Sequence, residues 1–382
     1  MSVRSIKVSE LKPGMRFSKP VYVDGDNILV PDGIPIREKD IQRLTKWGIE
    51  EVTTEGRPLA GAVGSERKDF LAQNFSSPDQ KRVVETYEKQ CDAVRSVFSR
   101  VRNQDPVAPT EIDKIVDTLF RLLDDVKNPV IEYVLYGVQS QGELAENAID
   151  TAVLSTLVGQ QMQMPKYRLI HLATAAILHD IGMARLPKEI MDKKGELTPE
   201  ENRLVQTHTI HSYKVITREL KYPEEVGLAA LQHQERYDGK GYPKRLSGKN
   251  IILGARVIAV VDSFEAMVSE RPYRSSMIGY QAMRNLLSDN GRRFDPDILK
   301  VFIRTLGIYP IGSIVLLNNS CIARVIENNS DAPLKPKVRV IIDEHGRDMP
   351  PNEGEVIDLY TSKDVFIAKA VDPNNATSRS ET

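Results

Sequence analysis

The sequence predicts a multidomain chain: an all-α metal-binding core flanked by a small N-terminal β-rich domain and a C-terminal β-subdomain. Three observations carry this. Apolar residues recur at helical steps through the middle of the chain, short apolar runs broken by Pro-Gly and Asp-Gly pairs precede it, and similar runs follow it. The chain has 382 residues, 41% hydrophobic and 27% charged, enough for two or three domains with a sizeable core. A net charge of −1 gives no general reason to expect a nucleic-acid polymer as partner. The two cysteines, Cys91 and Cys321, lie far apart and form no disulfide framework. Without a signal-peptide core or an 18-residue apolar run, no membrane span is expected and the default location is cytoplasmic.

From the N-terminus, Ile6–Val8, Phe17–Val23 and Asn27–Val30 read as strands, separated by Pro13-Gly14, Asp24-Gly25 and Asp32-Gly33. A helix over Glu38–Trp47, with Ile41 and Leu44 on one face, leads to a closing strand, Ile49–Thr53. These make a β-rich accessory domain over 1–62, and Arg57 to Ala62 reads as its linker.

A helical connector is expected over 66–128. Ser77-Pro78 starts its first helix, with Ser as cap and Pro at the first position. Val84, Tyr87, Cys91, Val94, Phe98 and Val101 then form a stripe that suits either a homodimer seam or a core-facing surface. Thr110-Glu111-Ile112-Asp113 resembles a capping box, and Asn128-Pro129 restarts the chain into another helix.

The chemical core is expected over 129–308. A buried helix spans Ala148–Met162, and Tyr167–His179 forms a second, ending in His179-Asp180. Thr198-Pro199 with Glu201 starts a helix leading to His208 and His211. A helix from about Pro223 delivers His233, followed by the turn Asp238-Gly239-Lys240-Gly241-Tyr242-Pro243. An apolar run, Ala255–Val261, ends in Asp262. Five of the six histidines lie between 171 and 233, and of these His171, inside an apolar helix, reads as structural. Converging helices would gather His179, Asp180, His208, His233 and Asp262 into one mixed N/O cluster. Such a set suits iron or manganese, and the lack of a thiolate disfavours a structural zinc site. Strands are expected at Ile314–Leu317, Cys321–Ile326, Lys337–Ile342 and Val356–Leu359, giving a β-subdomain over 309–372 and a tail over 373–382.

His179-Asp180 with Gly182, His208, His233, Asp262, the Gly-Tyr-Pro turn and Arg271-Pro272-Tyr273-Arg274 resembles the HD-GYP domain. That domain belongs to the HD superfamily of metal-dependent phosphohydrolases. The resemblance implies hydrolysis of cyclic di-GMP to pGpG or GMP by a metal-activated hydroxide, with His179 and Asp180 at the catalytic centre. It implies two or three divalent metals held by Glu143, His179, Asp180, His208, His233 and Asp262, with Asp180 bridging. Tyr242, Arg271 and Arg274 would contact the substrate. Three positions depart from the family pattern: Asn147 and Gln234 stand where it has histidines, and Met183 where it has a lysine. A receptor that holds cyclic di-GMP without cutting it, or an HD phosphohydrolase of another nucleotide, are the alternatives.

Overall fold

The computed structural model describes residues 4–8, 11, 15–17, 19–23, 28–30, 36, 38–47, 49, 51–56, 58–59, 77–137, 144–191, 193, 195–268, 279–350 and 353–371. The chain forms two compact units, Met1–Asn74 and Phe75–Thr382.

The first unit holds β1 (Arg4–Lys7), β2 (Arg16–Phe17), β3 (Val21–Tyr22), β4 (Ile28–Val30), α1 (Glu38–Lys46), β5 (Glu51–Thr54) and β6 (Pro58–Leu59). An antiparallel sheet runs in the order β1-β5-β3-β4, and β2 pairs with β6. Phe17, Val21, Ile36, Leu44 and Val52 fill its core. The stretch read as a linker therefore contributes β6, whose backbone bonds to Arg16–Phe17. The three expected turns at 13–14, 24–25 and 32–33 lie outside the described residues.

The second unit opens with α2 (Pro78–Asn103) and α3 (Pro109–Tyr136). Ser77 caps α2 as its sequence predicts: its Oγ accepts from the Gln80 N–H, and Gln80 Oε1 accepts from the Ser77 N–H, both at 3.2 Å. Val83, Tyr87, Cys91, Val94 and Phe98 are buried, with Val83 rather than Val84 opening the stripe. The helix packs on α3 and on α4 (Leu144–Gln161), so the stripe faces the core of its own chain. The cap of α3 falls at Ala108 instead of Thr110. Pro109 takes the first helical position, and Glu111 Oε1 accepts from the Ala108 N–H at 3.1 Å. Within α3, Val126 leaves helical geometry three residues before Pro129, where the ring removes a donor and crowds the preceding turn.

Then come α5 (Lys166–Leu178), a 3₁₀ turn (Ile181–Arg185), α6 (Lys188–Met191), α7 (Pro199–Gln206) and α8 (His208–Lys214). A π turn (Val215–Glu219), α9 (Glu224–Gln232), α10 (Leu253–Val268), α11 (Gly279–Ser288) and α12 (Pro296–Leu306) complete the helical body. The helix expected to lead continuously to His208 is instead two, breaking at Thr207. Helix α4 is buried on every side, packing on α5 and α10, which makes it the axis of the core.

Strands β7 (Ile314–Leu317), β8 (Ile322–Glu327), β9 (Lys337–Ile342), β10 (Val356–Asp358) and β11 (Ile367–Val371) form an antiparallel sheet in the order β10-β9-β8-β7-β11. Val315, Ala323, Val325, Val338 and Leu359 make its core. Strand β11 is an addition to the four predicted strands.

Candidate metal centre

Three histidines sit at breaks between helices. His179 follows the apolar α5, His233 follows α9, and His208 opens α8 directly after α7 ends. In each case the ring turns back onto the chain. The Nδ1 groups of His179, His208 and His233 donate to the carbonyls of Ala176, Val205 and Ala230, each at 2.7 Å. A carbonyl oxygen only accepts, so the proton resides on Nδ1 and each Nε2 points inward as a ligand atom.

The inward atoms converge. His208 Nε2 lies 3.1 Å and His233 Nε2 3.4 Å from Asp180 Oδ1. His179 Nε2 lies 3.6 Å from Asp180 Oδ2 and 3.7 Å from Asp262 Oδ1. Two triads result, His179–His233–Asp262 and Asp180–His208–His233, with the ligand atoms in each within 4.8 Å of one another. His233 belongs to both, and the two oxygens of Asp180 face different members of the group. Asp262 does not end its helix, as the apolar run suggested, but sits within α10. The imidazoles form a buried floor, whereas the Asp180 and Asp262 side chains keep 20% and 16% exposure, leaving the cup open to a ligand.

This donor set fits a divalent cation. Among the described residues His179 Nε2 and Asp180 Oδ1 are buried polar atoms without a hydrogen-bond partner, a costly arrangement that a cation between them relieves. Burial opposes ionisation of Asp180, yet His179 and His208 hold its carboxyl well below the usual range. Asp262 is lowered against its burial chiefly through His179. Burial also opposes charge on His179, but Asp180 and Asp262 push its pKa up to about 9, and Asp180 raises His208 in the same way. Burial wins at His233, whose pKa falls. Both carboxylates thus remain ionised; in the absence of an ion a proton on the imidazoles answers their charge, and a divalent cation would take that proton's place and accept the Nε2 lone pairs.

Two glycines set the geometry. A Cβ on Gly182 would lie 2.0 Å from the His208 carbonyl oxygen and 2.5 Å from the Ser212 nitrogen, so only glycine lets the Ile181–Arg185 turn approach α8. The Gly182 N–H donates to Ser212 Oγ at 2.9 Å. A Cβ on Gly241 would lie 2.3 Å from the Arg236 nitrogen. This folds the signature turn tightly and brings the Tyr242 ring edge-on to His208, centroids 6.2 Å apart. The buried Glu235 holds the turn from inside, its two oxygens accepting from the Lys244 N–H (2.6 Å) and the Leu246 N–H (3.0 Å). The sequence alone assigns Glu235 no role; its signal is an acidic residue two positions after His233 at the start of a glycine-rich turn.

The departing residues have definite places. Asn147 Nδ2 donates to Glu265 and, at 3.5 Å, to Asp262 Oδ1, while Gln234 Nε2 donates to Asp262 Oδ2 at 3.5 Å. Both amides therefore grip one carboxylate of the centre. His171 pairs with Glu225 at 3.3 Å, in keeping with its structural reading. His211 belongs to neither triad. Glu143, Arg271 and Arg274 lie outside the described residues.

A family model described as HD domain matches residues 128–298, and one described as KOW domain associated with HD domain matches 314–379. "Cyclic di-GMP phosphodiesterase PdeB" of Borreliella burgdorferi is 23% identical over 92% of this chain and 92% of its own. "Cyclic di-GMP phosphodiesterase PA4108" of Pseudomonas aeruginosa is 29% identical over 84% of this chain and 80% of its own. A "Cyclic di-GMP phosphodiesterase" of Thermotoga maritima is 36% identical over 40% of this chain and 41% of its own. No helix among the described residues is long and apolar enough to cross a membrane. With the His-Asp centre assembled as above, residues 128–298 match the HD domain model, and the chain is similar along most of its length to two relatives named as cyclic di-GMP phosphodiesterases.

Proposed function

We propose that the protein is an HD-GYP-type phosphodiesterase that hydrolyses cyclic di-GMP to pGpG or GMP at a centre of two divalent ions, iron or manganese. The carrying observation is the pair of ligand triads sharing His233 beside the Gly-Tyr-Pro turn. The activities by which the relatives are named support the substrate. In this reading His179, His208, His233, Asp180 and Asp262 would hold the ions, with Asp180 offering both of its oxygens, and Glu143 would complete the set. Bound divalent ions supply Lewis acidity and an activated water for attack on phosphorus. The chain's own residues orient and shield. Tyr242, whose hydroxyl is pushed upward by burial and by Asp180 and Asp262, stays protonated and donates to a phosphate oxygen. Arg271 and Arg274 grip the substrate as the resemblance implies. The buried, unpaired Cys91 and Cys321 suit a reducing, cytoplasmic compartment.

A second reading, a receptor that binds cyclic di-GMP without cutting it, is favoured by the amides of Asn147 and Gln234 at Asp262. One experiment separates them: metal analysis of the purified chain with turnover of cyclic di-GMP under added Mn²⁺ or Fe²⁺. Product formation that disappears in His179→Ala/Asp180→Ala is the expected result. Tight binding without product over hours selects the receptor, and turnover persisting in the double variant removes the assignment.

A further inference from the structure

The loop between α11 and α12 is stitched to the signature turn. The Arg292 carbonyl accepts from the Asp238 N–H at 2.8 Å, and the Arg293 carbonyl from the Tyr237 N–H at 3.0 Å. The two arginine side chains then part. Arg292 Nη2 turns back onto α11, donating to the Ser288 carbonyl at 2.8 Å and pairing with Asp289 at 3.3 Å. Arg293 makes no ion pair or side-chain hydrogen bond with a described residue. Its guanidinium lies 5.2 Å from the centroid of the buried Phe294 ring, which steadies an otherwise exposed side chain. The two backbone bonds therefore anchor an arginine with an uncommitted, exposed guanidinium against the turn that carries Tyr242, the residue whose ring meets His208.

A cyclic dinucleotide carries two phosphodiesters. The centre holds the one being cut, while the other brings an anion that needs its own partner. Met183 offers no charge. Arg293 offers a planar, permanently charged fork suited to phosphate oxygens. We infer that Arg293 binds the second phosphate of the cyclic dinucleotide, the one not being cut, and positions the ring without touching the reacting atoms. This rests on the phosphodiesterase reading above.

The test uses the metal-loaded full chain and three variants, Arg293→Gln, Arg293→Lys and Arg292→Gln. Steady-state kinetics are read on cyclic di-GMP and on bis(p-nitrophenyl) phosphate, which has one diester only. Losing one charge-assisted contact at an exposed site raises KM for cyclic di-GMP about tenfold, with kcat within about twofold. Arg293→Lys falls between, since it keeps charge and loses the fork. Arg292→Gln, whose side chain is engaged elsewhere, stays within about twofold of wild type. On the single diester, Arg293→Gln differs from wild type by less than about twofold. An unchanged KM for cyclic di-GMP, equal losses on both substrates, or matching behaviour of Arg292→Gln overturns the inference while leaving the activity standing. If the wild type binds but does not cut, Kd replaces KM with the same expected ratios. If it neither binds nor cuts cyclic di-GMP, the activity falls and this inference with it.

Discussion

Replacing Gly182 by Ala tests how the centre is assembled. The added Cβ would lie 2.0 Å from the His208 carbonyl oxygen, 2.5 Å from the Ser212 nitrogen and 2.8 Å from Ser212 Oγ. Ordinary contact begins near 3.4 Å, so the Ile181–Arg185 turn and α8 must part by about 1.4 Å (3.4 − 2.0). Two of the three opposing atoms are backbone, so no rotamer change relieves the clash. Metal sites tolerate departures of about 0.2 Å in ligand distance, and the parting is several times larger. It separates His208 from Asp180, now 3.1 Å apart, and so opens the triad they form with His233. Overpacking costs about 1–3 kcal/mol, and loss of the Gly182–Ser212 hydrogen bond adds about 1 kcal/mol. For a unit of this size that lowers Tm by about 3–6 °C. Thermal melting and elemental analysis of the purified chain read both effects: a lower Tm and at least a tenfold weaker hold on one ion. Gly195→Ala is the control, because nothing lies within 4 Å of its Cβ. A Gly182→Ala protein with wild-type melting and metal content, or equal losses in Gly195→Ala, would refute the reasoning.

Because His233 serves both triads, His233→Ala should deplete both ions, whereas Asp262→Asn should spare the one at Asp180–His208–His233; elemental stoichiometry decides, and one full ion retained in His233→Ala would contradict the sharing. Burial pushes the Tyr136 hydroxyl, bonded to Ser313 Oγ at 2.8 Å, up to about 12, above its unfolded value of about 10. A raised folded pKa contributes stability that is complete below pH ~10 and lost as pH rises through ~12, so Tyr136→Phe should flatten the alkaline fall in Tm over that window. An identical alkaline profile in the variant would exclude Tyr136 as a source.

The sequence was most legible where a local rule and the tertiary structure agree. Ser77-Pro78 with Gln80, and Thr198-Pro199 with Glu201, are reciprocal caps in the structure because both partners lie within one turn. The apolar run of α5 ending in His179-Asp180 announced the centre, whereas the close backbone approach at Gly182 and Gly241 is visible only in the structure. Legibility failed where two local rules compete. Thr110 looks like a cap, but Pro109 has first claim on the start of the helix, and Glu111 then reaches Ala108 instead. Strand β11, with exposed Ala368 and Lys369 at its centre, owes its place to pairing with β7, which no periodicity within 367–371 encodes. Nor does spacing reveal that His233 is common to two triads, or that Asn147 and Gln234 converge on one carboxylate from elements more than 80 residues apart. Those facts arise only when α4, α9 and α10 pack together.

The carbonyls of Ala176, Val205 and Ala230 belong to the main chain, so exchanging those three side chains does not withdraw the acceptors that aim the imidazoles. The alignment of the nitrogens is thereby insulated from drift in its immediate surroundings. Evolution is free to rework the pocket wall, trading one nucleotide for another, without having to rebuild the machinery beneath it.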